Sequence, residues 1–147
     1  MTQIEKEADL LSVFSLGDAM FGIPALQVQE VVQQEGLTPV HQAHSTISGI
    51  INLRGQIVTV IDLAERLELE GGEKRHILIV DWEEESVGLL VDSVRDVLEA
   101  DFEAMHAAPA NVGQAQQKYF KGVCEVGGWL VAILDLDALL FEDTHEA

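Results

Sequence analysis

The chain is a series of short apolar runs, each interrupted by glycine or acidic residues: Leu11-Ser12-Val13-Phe14, Phe21-Gly22-Ile23, Ile57-Val58-Thr59-Val60-Ile61, Ile77-Leu78-Ile79-Val80 and Val87-Gly88-Leu89. Runs of about five residues, rich in Val, Ile and Leu and bounded by turn residues, favour strands over helices. The pattern therefore predicts a mainly β fold.

The pattern also occurs twice. Leu11-Ser12-Val13-Phe14, Phe21-Gly22-Ile23 and then Val28, Val31 and Val32 match Ile77-Leu78-Ile79-Val80, Val87-Gly88-Leu89 and then Val94, Val97 and Leu98, 66 residues further on and without a gap. The acidic residues Glu30 and Asp96 fall into the same alignment. A second match sets the segment Gly49 to Leu63 against Gly122 to Leu136 at an offset of 73, so the second copy carries seven more residues, expected in the polar, alanine-rich stretch from Glu99 to Lys118. Insertions collect in surface connections because lengthening a loop costs little entropy.

Each copy reads as strand, turn, strand, a short ambiguous segment, a long connection and a hairpin. The ambiguous segment, with Val28, Val31 and Val32 behind Pro24, has helical spacing, yet a strand is equally arguable. The hairpin turns are Arg54-Gly55 and Gly127-Gly128, so an arginine stands at the first tip where the second has the glycine that such turns ordinarily use. Asp62 with Glu65, and Asp135 before Leu136, have the form of helix N-caps, predicting a short helix at the end of each copy. About five strands per copy suit a small twisted barrel, but a unit of roughly 60 residues alone would be marginal in stability. Two barrels sharing a buried interface are expected, with a groove between them where an elongated partner could dock.

Composition narrows the functional classes. With 26 acidic and 8 basic side chains, the net charge of -18 opposes any approach to nucleic acid phosphates. The acidity is read as a contribution to solubility rather than as evidence for a particular partner. No apolar stretch approaches the roughly 20 residues of a membrane span, and Met1 to Asp9 has no secretory apolar region, so a cytoplasmic protein is expected. The single cysteine, Cys124, is expected to be a small buried apolar residue.

The candidate chemistry is thin. Asp92-Ser93 lacks the glycine of an aspartic protease loop, having Val94 in its place. His41 and His44 have HxxH spacing without an evident third ligand, and read as polar loop residues beside the scattered His76, His106 and His145. Glu83-Glu84-Glu85 falls where one strand must turn back into the next, so it reads as a solvated hairpin tip rather than a calcium site. No nucleotide loop, metalloprotease motif or nucleophile elbow is present. The expectation is no enzyme, no cofactor and no metal.

The residues Phe14-Ser15-Leu16-Gly17, Phe21-Gly22-Ile23, Gly49-Ile50-Ile51-Asn52-Leu53-Arg54-Gly55, Val60-Ile61-Asp62-Leu63 and Val87-Gly88-Leu89-Leu90-Val91-Asp92 resemble the CheW-like domain, from about Leu10 to Phe141. The resemblance implies two pseudo-symmetric SH3-like five-stranded β-barrels packed together with short helices. It divides the chain into a flexible segment 1–9, a CheW-like domain 10–141 of two intertwined lobes with repeats at about 11–63 and 77–136, and a tail 142–147. It further implies a non-catalytic chemotaxis adaptor, recruited in the cytoplasm to receptor clusters. The partners implied are the cytoplasmic tip of a methyl-accepting chemoreceptor and the regulatory domain of a CheA-type histidine kinase.

By the same resemblance Val28, Glu30, Gly49, Asn52, Arg54 and Val87 are the expected receptor- or kinase-binding residues. Arg54 has the strongest physical case. It is one of eight basic residues on an acidic chain, and a guanidinium makes directional bonds to carboxylate or carbonyl oxygens. The alternative is an arginine that pins the hairpin to its own lobe. Two departures from the family pattern stand out: His44 lies near a position often held by proline, and Asn111 in Ala108-Pro109-Ala110-Asn111 stands where a second kinase contact would use an apolar group. The competing reading is a CheW-like adaptor of another chemosensory pathway, such as pilus motility, with the same fold and a different partner.

Overall fold

The computed structural model describes residues 9–40, 46–107, 111–112 and 115–145; side chains are described for these except at 111–116 and 141–145. Among the described residues, twelve strands and two short helices follow one another: β1 (Leu10–Leu16), β2 (Ala19–Pro24), β3 (Val28–Gln33), β4 (Ile47–Leu53), β5 (Gln56–Asp62), α1 (Leu63–Arg66), β6 (His76–Trp82), β7 (Glu85–Val91), β8 (Ser93–Glu99), β9 (Asn111–Val112), β10 (Ala115–Gln116), β11 (Phe120–Val126), β12 (Trp129–Leu134) and α2 (Leu136–His145). The mainly β reading holds, and the ambiguous segments behind Pro24 and around Val94 are strands, β3 and β8. A single 3-10 turn, Ala25–Gln27, precedes β3. Burial alternates along β3, and the helical spacing arises because Val31, on the outward phase, is apolar. At the C-terminal end, α2 runs on to His145, so residues placed in a tail by the sequence are helical as far as that position.

Two five-stranded sheets form, ordered β11-β12-β2-β1-β8 and β3-β6-β7-β5-β4. The lobes do not coincide with the repeats. The second sheet is built wholly from residues 28–91, a contiguous central lobe, whereas the first takes β1 and β2 from one repeat and β8, β11 and β12 from the other, forming a flanking lobe around it. The duplication survives in the pairing geometry. β5 lies parallel to β7 with Thr59 opposite Val87, and β12 lies parallel to β2 with Ala132 opposite Phe21, the same pair of repeat positions. The bulge that sets Val28 opposite Val80 and Glu30 opposite Ile79 recurs as Val94 opposite Phe14 and Asp96 opposite Val13.

A second recurring irregularity closes each lobe. Thr38 exchanges two backbone hydrogen bonds with Ile50 (2.9 and 2.8 Å), and His106 does the same with Val123 (2.9 and 2.8 Å). The close approach needs a glycine: a Cβ on Gly49 would lie 2.2 Å from the Thr38 carbonyl oxygen, and one on Gly122 2.5 Å from Met105 Cγ. Thr38 and His106 are 68 apart, between the offsets of 66 and 73, so the seven extra residues divide into two before His106 and five after it.

Strand alternation sends successive side chains to opposite faces, and here both faces are covered. Val13 lies in the interior of the flanking lobe with Leu11, Cys124, Val126, Val131 and Ile133. Ile77 and Ile79 lie in the interior of the central lobe with Ile51, Val58 and Val60. The intervening residues Phe14, Leu78 and Val80 belong to a third cluster, shared between the lobes, in which Phe14, Phe21 and Phe120 stack at centroid distances of 6.1 and 5.9 Å. This explains runs that read as continuously apolar. It also supplies the shared interface that such small barrels require, since each fully buried Leu, Ile or Phe side chain contributes roughly 1.5–3 kcal/mol.

The helices sit at this seam. Asp62 Oδ1 accepts from the Glu65 amide and Asp135 Oδ1 from the Ala138 amide, as their cap patterns predict. The buried Arg66 ties α1 to the C-terminal part of the chain: Nε donates to the Leu139 carbonyl (3.2 Å), Nη1 to Tyr119 Oη (2.7 Å), and the guanidinium lies 4.9 Å from the Tyr119 ring centroid. Trp82 Nε1 donates to Asp137 Oδ1 on α2 (2.8 Å).

Candidate functional site

The hairpin between β4 and β5 turns through Arg54 and Gly55, both left-handed, at φ 52° and 85°; Gly127 and Gly128 in the matching turn have φ 57° and 83°. Glycine adopts this conformation without a Cβ penalty, whereas another L-residue costs roughly 1–2 kcal/mol. Arg54 thus occupies a position that backbone physics would give to glycine or asparagine. Asn52 helps hold the turn, its Oδ1 accepting from the Gly55 amide at 2.8 Å.

The Arg54 guanidinium grips Glu30 on β3 with two parallel bonds, Nη1 to Oε2 and Nη2 to Oε1, each 2.6 Å long. β3 and the β4–β5 hairpin are at opposite ends of the strand order, so this pair spans the closing edge of the barrel. The Arg54 side chain is 72% exposed and that of Glu30 26%. The bond to Arg54 holds the Glu30 carboxyl below its ordinary 4.5, against a weaker opposing effect of desolvation, and the Arg54 guanidinium is correspondingly raised. An exposed ion pair adds little to folding stability. A bidentate fork nevertheless fixes both side chains in one orientation, which is of value to a recognition surface.

β3 and the β4–β5 hairpin also carry two exposed apolar side chains. Val31 follows Glu30 on β3 and is 40% exposed; Ile57, opposite Asn52 in the β4–β5 register, is 59% exposed. Neither residue is among the site residues expected from the sequence. The outward phase of β3, in which Gln29 and Gln33 are also exposed, was the signal that could have distinguished Val31.

The other predicted site residues fall in different places. Val28 opens β3 half-buried, packed against the shared core at the seam between the lobes. Gly49 lies under the Thr38 crossing, with φ 154°, where its lack of a Cβ is needed to close the barrel. Val87, at 3% exposure, lies in the shared core on β7, a strand covered on both faces from that residue onward. The structure therefore brings Glu30, Asn52 and Arg54 together and leaves Val28, Gly49 and Val87 as parts of the frame around them. His41, His44 and Ala108 to Ala110 lie outside the described residues, as does the side chain of Asn111, whose backbone pairs with Gln116.

Among the described residues, no group of three or more His, Cys, Asp or Glu side chains is arranged to hold a metal ion, and no helix is long and apolar enough to cross a membrane. Glu83 and Glu84 form the tight turn between β6 and β7, both with positive φ (48° and 66°), as the hairpin reading expects. Cys124 is buried, its thiol pushed up by burial first and then by the charges of Asp101 and Asp9.

The family model described as the CheW-like domain matches residues 11–143. The chain is 29% identical over 140 residues to the chemotaxis protein CheW of Rhizobium meliloti, covering 93% of this chain and 90% of that protein. It is 30% identical over 141 residues to the chemotaxis protein CheW of Thermotoga maritima, covering 95% and 91%. The crystal structure of the scaffolding protein TtCheW from Thermoanaerobacter tengcongensis superposes with a TM-score of 0.80 at 30% identity, covering 88% of this chain and 85% of that one. With a matching sequence pattern and a matching pair of barrels, the chain belongs to the CheW-like family of non-catalytic chemotaxis scaffolds.

Proposed function

We propose that the patch formed by Glu30, Val31, Asn52, Arg54 and Ile57 is the surface through which this scaffold engages its signalling partners, coupling a chemoreceptor's cytoplasmic tip to the regulatory domain of a CheA-type kinase. The observation that carries this reading is the Arg54–Glu30 pair. An arginine is held in a strained turn position, exposed and with its orientation fixed, on a lobe whose neighbouring strands also expose Val31 and Ile57. Recognition surfaces commonly combine an arginine with exposed apolar contacts at their centre. The seam beside Val28 forms the adjoining wall, and recruitment to receptor clusters follows from binding there. Linkage sets the mechanism: the scaffold alters kinase activity to the extent that it binds the active and inactive states with different affinity.

The test is kinase autophosphorylation in a reconstitution of receptor fragment, kinase and this protein, comparing wild type with Arg54→Glu over a range of salt. Wild type is expected to change kinase activity in a receptor-dependent manner. Arg54→Glu, which sets a carboxylate against Glu30, is expected to abolish that change while circular dichroism stays native. Normal coupling by a folded Arg54→Glu protein would refute the assignment of the patch.

A further inference from the structure

The strand order requires the chain to pass between the lobes twice, once through Ala25–Gln27 and once through Asp92, between β7 and β8. Leu26 and Asp92 are repeat mates, 66 residues apart, yet the two crossings are built in opposite ways. The first is a 3-10 turn with no buried residue and no side-chain cap, and Leu26 is 85% exposed. The second is tied down. Asp92 is 9% exposed, and its Oδ2 accepts from the amides of Gly17 and Gly72, both at 2.6 Å. Its own amide donates to the Ser15 carbonyl (3.2 Å), and beside it Ser93 Oγ meets Ser15 Oγ at 2.7 Å.

The two amides held by Asp92 come from different lobes. Gly17 is in the β1–β2 turn of the flanking lobe, and Gly72 is in the connection from α1 to β6 of the central lobe. The surfaces touch closely there: a Cβ on Gly17 would lie 2.8 Å from the Glu70 carbonyl oxygen, and one on Gly72 2.9 Å from Asp92 Oδ2. The connection is anchored a second time through Lys74, whose ammonium pairs with Asp62 at the cap of α1. Bonds from backbone amides to a buried carboxylate are charge-assisted and strong, roughly twice a neutral pair.

We propose that Asp92 is a latch fixing the angle between the two lobes, with Ala25–Gln27 as the hinge about which they turn when it opens. Closing the latch holds Ser93 and Val94 against the seam, where Val28 stands at the other crossing. Any ligand of that seam is therefore linked to the latch, a consequence that rests on the partner reading above; the latch itself does not.

The experiment places spin labels at Gln33 and Glu99, exposed repeat mates on the two lobes, in a Cys124→Ala background, and measures the interlobe distance distribution of the free protein by pulsed electron resonance. The background protein is expected to give one narrow distance, and Asp92→Ala a broadened or second population. Asp92→Asn keeps an oxygen that accepts both amides and is expected to stay narrow. Gly72→Ala leaves the carboxylate in place but crowds it, and is expected to broaden the distribution; it decides the matter if Asp92→Ala does not fold. A single narrow distance in Gly72→Ala, or in folded Asp92→Ala, would overturn the latch. Receptor fragment binding about tenfold weaker in Asp92→Ala is the expected further result. Unchanged binding alongside a broadened distribution would leave the latch standing and count against the seam as a binding site.

Discussion

The central and flanking lobes share one framework and differ in what is placed on it. Both have a bulge that leaves one residue unpaired, Gln29 in the central lobe and Arg95 in the flanking lobe. Both close through a glycine under a crossing strand, and both carry a left-handed hairpin turn. In the central lobe the turn residue is Arg54, bound to Glu30; in the flanking lobe it is Gly127, while Arg95 lies 5.8 Å from the ring centroid of Trp129 instead. Exposed apolar positions match as well, Val31 and Ile57 on one lobe and their repeat mates Val97 and Leu130 on the other. A duplicated scaffold has thus kept its backbone constraints while the two exposed ends acquired different chemistry. Glycines under crossings have little room for a side chain, whereas turn tips and outward strand positions have more.

The sharpest way to break the equivalence is at the crossings. Gly49→Ala forces both a positive φ and a contact with backbone at 2.2 Å, and is expected to cost about 3 kcal/mol or more in urea denaturation. Gly122→Ala meets Met105 Cγ at 2.5 Å and the His106 carbonyl oxygen at 2.6 Å without a positive φ, and the flexible methionine can yield. About half that loss is expected. Equal losses would mean that contact, not backbone conformation, dominates.

Arg66 and its repeat mate Leu139 differ in kind, and Arg66→Leu would make the two alike. It removes the donors to the Leu139 carbonyl and Tyr119 Oη from a buried site. A destabilisation of about 2 kcal/mol is expected, read as a lowered melting temperature. A smaller effect follows at the β6–β7 turn, where Glu84 has φ 66°. Glu84→Gly should stabilise the protein by about 1 kcal/mol through relief of that conformation.

The least effect on stability is expected at the exposed pair, where the readout is ionisation. Because the folded carboxyl of Glu30 lies below its ordinary 4.5, whatever the pair adds to stability is present above that pH and is lost as pH falls through the lowered value. Carboxyl titration by NMR should find the Glu30 midpoint depressed in wild type and raised back toward 4.5 in Arg54→Gly. Arg54→Gly gives the central lobe the turn of the flanking lobe, so its melting temperature should be unchanged or slightly higher while kinase coupling disappears. A clear loss of stability would instead identify Arg54 as a brace for its own hairpin.

The sequence by itself determined the strand-rich fold, the duplication, the two capped helices, the positions of the hairpin turns and the prominence of Arg54. These depend on local rules: short apolar runs, turn residues with positive φ, and Asp at an N-cap, each legible within a few residues. The family pattern in the Gly49 to Gly55 segment was legible for the same reason. Only the tertiary structure decided that the lobes cut across the repeats, because strand exchange is a choice of partners hundreds of atoms apart that leaves no local trace. It also decided that Val87 is buried while Val31 and Ile57 are exposed. From Val87 to Val91, β7 is covered on both faces and apolar, so alternation carries no signal for Val87, whereas β3 and β5 alternate and Val31 and Ile57 lie on their outward phase. The Glu30 partner of Arg54 was likewise set by barrel closure, which brings the first and last strands of the central sheet within reach of one guanidinium.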